Sequence, residues 1–129
     1  MYKRQGKDLV AASATPIVLG ILAEGESYGY AILKRVNDLS AGRMTWTDGM
    51  LYPLLHRLER LGLVEASWGE GPTGRRRKHY ALTREGTATL AEQRHQWEVV
   101  TATLDGIWND LAETAGRAVT ARPAEGWAR

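Results

Sequence analysis

Thr47-Asp48-Gly49-Met50-Leu51-Tyr52-Pro53-Leu54-Leu55-His56-Arg57-Leu58-Glu59-Arg60-Leu61-Gly62-Leu63-Val64 is the stretch whose reading decides the fold. Leu51, Leu54, Leu55, Leu58 and Leu61 recur at helical spacing and make one apolar stripe that has to pack on something. Gly49, Pro53, His56 and Arg60 fall on the opposite side, with Tyr52 and Arg57 on its flanks. That face is rich in groups that donate to phosphates or base edges. Thr47 or Asp48 can cap the helix by accepting from its free N–H groups, and Gly62 can close it in a left-handed conformation. Pro53 removes one ladder bond and presses on the carbonyl four residues back, which belongs to Gly49, a residue with slack to move.

Beyond Gly62 the period changes to two, with Val64, Ala66 and Trp68 apolar, and Tyr80 and Leu82 alternate in the same way. Between them lie Gly69-Glu70-Gly71-Pro72-Thr73-Gly74 and the consecutive cations Arg75, Arg76, Arg77 and Lys78, so the segment reads as a two-stranded hairpin with a basic tip. An amphipathic helix followed at once by a basic hairpin is the layout of a winged helix-turn-helix, whose helix enters the major groove while the wing holds flanking phosphates.

Two helices are expected upstream. The first starts with Thr15 as cap and Pro16 at its first position, carries Ile17, Val18, Leu19, Ile21 and Leu22, and stops at Gly25. The second is capped by Ser27, turns Ile32, Leu33, Val36 and Leu39 inward, and stops at Gly42 before a short strand at Met44-Thr45-Trp46. The fold expected is mainly α, in the α+β class. Residues 13–83 form a winged helix-turn-helix domain with a two-stranded wing, residues 84–116 form a long C-terminal dimerisation helix, and residues 1–12 and 117–129 are flexible ends.

In that last helix Thr83 can cap, Glu85 suits the first turn and Gly116 can end it. Leu90, Trp97, Leu104 and Leu111 repeat every seven residues, and Val100 and Ile107 follow two of them by three, a heptad seam that calls for a partner helix. Gln93 and Gly106 interrupt it, the glycine at a cost of roughly 1 kcal/mol.

Three ordered motifs carry a family resemblance: Ser27-Tyr28-Gly29-Tyr30-Ala31-Ile32-Leu33, then Gly49 through Val64, then Gly74-Arg75-Arg76-Arg77-Lys78-His79-Tyr80-Ala81-Leu82-Thr83-Arg84-Glu85-Gly86. Over about residues 13 to 110 the chain resembles the PadR-type transcriptional regulators. The resemblance implies a winged-helix homodimer, most often a repressor, that binds a near-palindromic operator in double-stranded DNA and releases it on binding a small molecule. It implies that Tyr52, His56 and Arg57 lie near DNA, with the wing cations on phosphates. Thr47, Asp48, Gly49, Pro53 and Arg60 join them by position on the same helix. Met50 departs from the family, which commonly has threonine there, although a methionine can touch a thymine methyl. Multidrug sensors of the family carry a tryptophan at a similar depth in the last helix, which implies a planar aromatic effector at Trp97; Trp108, one turn of the helix beyond Leu104, is by its position a candidate second wall.

Composition sets the limits. The 129 residues are 43% hydrophobic and 25% charged, and no run approaches the roughly 18 consecutive apolar residues of a membrane span. There are no cysteines and no signal-peptide pattern, so the cytoplasm is the expected compartment. Residues 1–83 hold 12 Lys and Arg against 8 Asp and Glu, and residues 84–129 hold 5 against 7, so the basic half is the half with the hairpin. His56, His79 and His95 have no metal spacing and no glycine-rich phosphate loop follows a strand, so no catalytic residue, metal or cofactor is expected. The competing reading is a winged-helix protein-interaction module without sequence-specific DNA binding, against which the cationic wing argues.

Overall fold

A computed structural model describes the backbone of residues 2–120 and the side chains of residues 7–116. Along the chain come α1 (Tyr2–Ala23), β1 (Ser27–Tyr28), α2 (Gly29–Leu39), α3 (Asp48–Arg60), β2 (Val64–Glu70), β3 (Arg76–Leu82) and α4 (Arg84–Thr120). The strands form one antiparallel sheet in the order β1-β3-β2. The chain divides into two units, Met1–Gln93 and Arg94–Arg129.

The core of the first unit is built from the stripes the sequence announces. Val18, Leu19, Ile21 and Leu22 of α1, Ile32 and Val36 of α2, and Leu51, Leu55 and Leu58 of α3 are buried together with Trp46, Val64 and Tyr80. Tyr80 is among the largest of these fully enclosed side chains, and burial pushes its phenol pKa up. Between helices the exposed surface is tied by Arg35, whose guanidinium donates to both carboxylate oxygens of Glu24 at 3.0 and 2.8 Å. That hydrogen-bonded pairing holds the Glu24 carboxyl below its ordinary range.

Several local expectations are corrected. α1 begins at Tyr2, so Thr15 is not a cap and Pro16 lies inside the helix. The reason is that Val10 and Ala14, two turns upstream of Ile17 and one turn upstream of Val18, also pack on the core and carry the stripe backwards. Ser27 does not cap α2; it lies in β1, a third strand that pairs directly with β3, Ser27 opposite Tyr80 and Tyr28 opposite His79, and Tyr28 takes the cap position. The sheet therefore has three strands, one more than the two-stranded wing. Met44-Thr45-Trp46 is not a strand: the Met44 N–H donates to the Ser40 hydroxyl at 2.9 Å and Trp46 turns into the core. Leu39 and Leu61 are 58% and 61% exposed, because each sits at a helix end where the chain turns away from the core. α4 runs on through Gly116 to Thr120, and residues 121–129 of the expected tail lie outside the described residues.

The junction into α4 is tight. Thr83 caps the helix, its hydroxyl accepting from the Gly86 N–H at 3.0 Å and donating to the Gly62 carbonyl at 2.6 Å. Gly86 is buried, and a Cβ on it would run into the carbonyl of Leu63 and come 3.0 Å from Leu82 Cδ2. Gly86→Ala is accordingly expected to lower the melting temperature, at a cost of about 1–3 kcal/mol, because the obstacle is backbone that also accepts from the Thr83 N–H. Calorimetry giving an unchanged or higher Tm would show that the junction yields.

Candidate nucleic-acid interface

α3 presents two unlike faces. Leu51, Leu55 and Leu58 are buried, whereas Gly49, Tyr52, Pro53, His56, Arg57 and Arg60 are exposed, as the spacing predicts. Thr47 holds the cap position through its carbonyl, which accepts from Met50 and Leu51 at 3.1 and 3.0 Å, while its side chain makes no capping bond. Asp48 sits in the first turn, where its charge suits the positive end of the helix. The far end closes as expected: Gly62 has φ of 79°, and Gly62 and Leu63 donate back to Glu59 and Leu58 at 3.0 and 2.9 Å. Tyr52 does more than line the surface. Its hydroxyl end lies against the Cα of Gly29, so it also spaces α3 from the start of α2, and its ring centroid is 6.5 Å from that of His56.

The hairpin turns through Gly71 to Arg75, where the Gly71 N–H donates to the Arg75 carbonyl at 2.6 Å and Gly74 has φ of 82°. Strand alternation then parts the basic run. Arg75 is in the loop and exposed. Arg76 and Lys78 face Glu70 and Trp68 across the ladder, on the side whose inner residues Val64 and Tyr80 enter the core. Lys78 reaches Glu59 of α3 at 3.7 Å, tying the wing to the helix. Arg77 points to the other side, its guanidinium 3.8 Å from the ring centroid of Tyr28. On that same side His79 lies 5.6 Å from Tyr28, ring centre to ring centre, and 3.8 Å from the Glu26 carboxylate.

So the structure puts Arg76 and Lys78 on the side of the wing from which Lys78 reaches α3, turns Arg77 to the other side and leaves Arg75 in the exposed loop. Sequence reasoning missed the Glu59 to Lys78 tie and Trp68, a wing indole left 59% exposed with the Arg76 guanidinium 5.3 Å from its ring centroid. The register of the hairpin was the signal, since period two already separates Arg76 and Lys78 from Arg77.

In the second unit Val100, Leu104, Ile107, Trp108 and Leu111 are exposed and Trp97 is half-buried. At 100° per residue these six fall within about a third of the helix circumference. Leu90, the first residue of the expected seam, is half-buried and packs against the core of the first unit. Among the described residues no helix is long and apolar enough to cross a membrane.

Known proteins share this arrangement. A family model for the transcriptional regulator PadR-like family matches residues 18–92. A PadR family transcriptional regulator from Eggerthella lenta superposes with a TM-score of 0.70 at 31% identity, covering 83% of this chain and 91% of that one. A PadR-like transcriptional regulator from Bacillus cereus gives the same TM-score at 26% identity, covering 78% and 96%. The transcriptional regulator YqjI of Escherichia coli is 33% identical over 84 residues, 65% of this chain, and the aligned part spans 39% of that longer protein. Because the family model takes in α2, α3, the whole hairpin and the start of α4, more than half of the sequence, this chain belongs to the PadR-like family, whose members are transcriptional regulators and not enzymes.

Proposed function

We propose that this regulator is a ligand-responsive repressor that binds an inverted-repeat operator in double-stranded DNA as a homodimer, in the cytoplasm. The observation that carries the reading is α3: one face locked into the core by Leu51, Leu55 and Leu58, the other offering Tyr52, His56, Arg57 and Arg60 to solvent beside a cationic wing. A helix held that rigidly presents its polar face without paying to order it, and Arg75, Arg76 and Lys78 supply the sequence-independent attraction to phosphates. Thr47, Asp48 and Gly49 stand at the helix N-terminus, the end that meets base edges in helix-turn-helix proteins.

The wing gives the first test. Replacing Arg75 and Arg76 by Ala is expected to weaken binding to every duplex and to flatten the slope of log affinity against log salt by about 0.9 for each phosphate no longer neutralised. Gel shifts over a salt series measure this, and a wild-type slope in the double variant would take those arginines off the phosphates.

Dimerisation is assigned to the stripe Trp97, Val100, Leu104, Ile107, Trp108 and Leu111, since an apolar seam sustained at seven-residue spacing is buried most simply by a second copy of itself. The effector is assigned to the same seam. Trp108 lies roughly 16 Å further along the helix than Trp97, so a ring stacked on Trp97 needs its second wall from the partner copy. Such a ligand releases DNA only by binding better to a dimer whose recognition helices are wrongly spaced. Planar cationic dyes are expected to quench wild-type tryptophan emission strongly and the Trp97→Ala protein weakly; equal quenching would leave Trp97 a packing residue.

A further inference from the structure

We infer that Trp68 and Arg76 make a DNA contact of their own, the indole against deoxyribose and the guanidinium against the adjoining phosphate, on the strip of backbone beside α3. This rests on the DNA-binding reading above, which already assigns Arg76 to phosphate, and adds Trp68 to the interface.

The strand register supports it first. Trp68 pairs directly with Lys78, and Glu70 with Arg76, so these side chains share the face of the hairpin from which Lys78 reaches Glu59 of α3. Trp68 thus stands on the recognition-helix side of the wing. Further in on that face Ala66 is half-buried and Val64 and Tyr80 are in the core, so Trp68 is the first large apolar group outside it. Leaving an indole exposed there forgoes the burial that an inward position would give.

Charge decides what covers it. Arg76 lies over the ring at 5.3 Å and Arg75 and Lys78 belong to the same hairpin, against Glu70 opposite Arg76 and Glu59 at Lys78, so basic side chains around the indole outnumber acidic ones by three to two. A surface that is apolar at its centre and cationic at its edge matches a nucleic-acid backbone, which alternates apolar sugar with anionic phosphate. Arg77 is excluded from this contact, because its guanidinium is committed to Tyr28 on the opposite face at 3.8 Å.

The experiment compares wild type, Trp68→Phe, Trp68→Ala, Arg76→Ala and Arg77→Ala on a mixed-sequence duplex of about three helical turns at low salt. Acrylamide quenching of tryptophan emission is recorded with and without saturating duplex. The expected result is that duplex shields wild-type emission and that this shielding disappears in Trp68→Phe, which keeps the fold because the site is exposed. Trp68→Ala is expected to bind about tenfold more weakly. Arg76→Ala is expected to flatten the salt slope by about 0.9 per subunit, whereas Arg77→Ala leaves it unchanged. If wild type binds the duplex but Trp68 stays equally accessible, the contact is wrong and the DNA-binding reading stands. If wild type does not bind duplex at all, both fall. An acidic protein as the true occupant would show as shielding by polyglutamate and none by DNA, and that too overturns the contact.

Discussion

A Leu104→Glu/Leu111→Glu protein is expected to sediment as a monomer and to bind its operator about 100-fold or more weakly, since two linked half-site interactions become one. Both leucines lie on the exposed stripe of the second unit, and two copies of that stripe facing each other would enclose four new carboxylates in an apolar seam. Burial of an unpaired charge ranks among the costliest single changes a protein can suffer, whereas the same glutamates on a helix that stays solvated cost almost nothing. The two outcomes are therefore far apart. A double variant that sediments as an intact dimer would move the interface elsewhere on the chain.

His56→Ala is expected to lower operator affinity about tenfold or more while leaving random-duplex binding within about a factor of two, because base contacts, unlike phosphate contacts, separate one sequence from another. His56 is suited to the experiment because it is exposed in mid-α3, opposite the buried leucines, so the alanine removes an imidazole without touching the core. The effect is counted twice in a two-fold dimer. A variant weakened equally on operator and random DNA would place His56 on the backbone instead.

The elements legible in advance were those whose signal repeats. Leu51, Leu55 and Leu58 at helical spacing located α3, and Gly62, needing a left-handed conformation, located its end. Alternation from Val64 and from Tyr80 gave the hairpin, and Thr83 announced α4. The pieces misread were those without a period. A strand of two residues at Ser27 and Tyr28 has no pattern of its own and exists because β3 offers it a free edge. The start of α1 was set too late because Pro16 resembles a first helical residue, while Val10 and Ala14 carry the packing further back. The basic run looked like one cluster; only the pairing of Trp68 with Lys78 shows that Arg77 faces away from its neighbours. Leu61 and Leu39 looked like core residues because period alone does not say where the partner surface stops.

Two copies of α3 reading a two-fold-symmetric duplex site is the central claim. Footprinting the full chain on the intergenic DNA beside its own gene tests this most directly. The expected result is one protected region containing an inverted repeat, its half-sites about 10 base pairs apart centre to centre or a multiple of that, with no protection by the Leu104→Glu/Leu111→Glu protein. Protection of a single direct half-site that survives in that variant would contradict it.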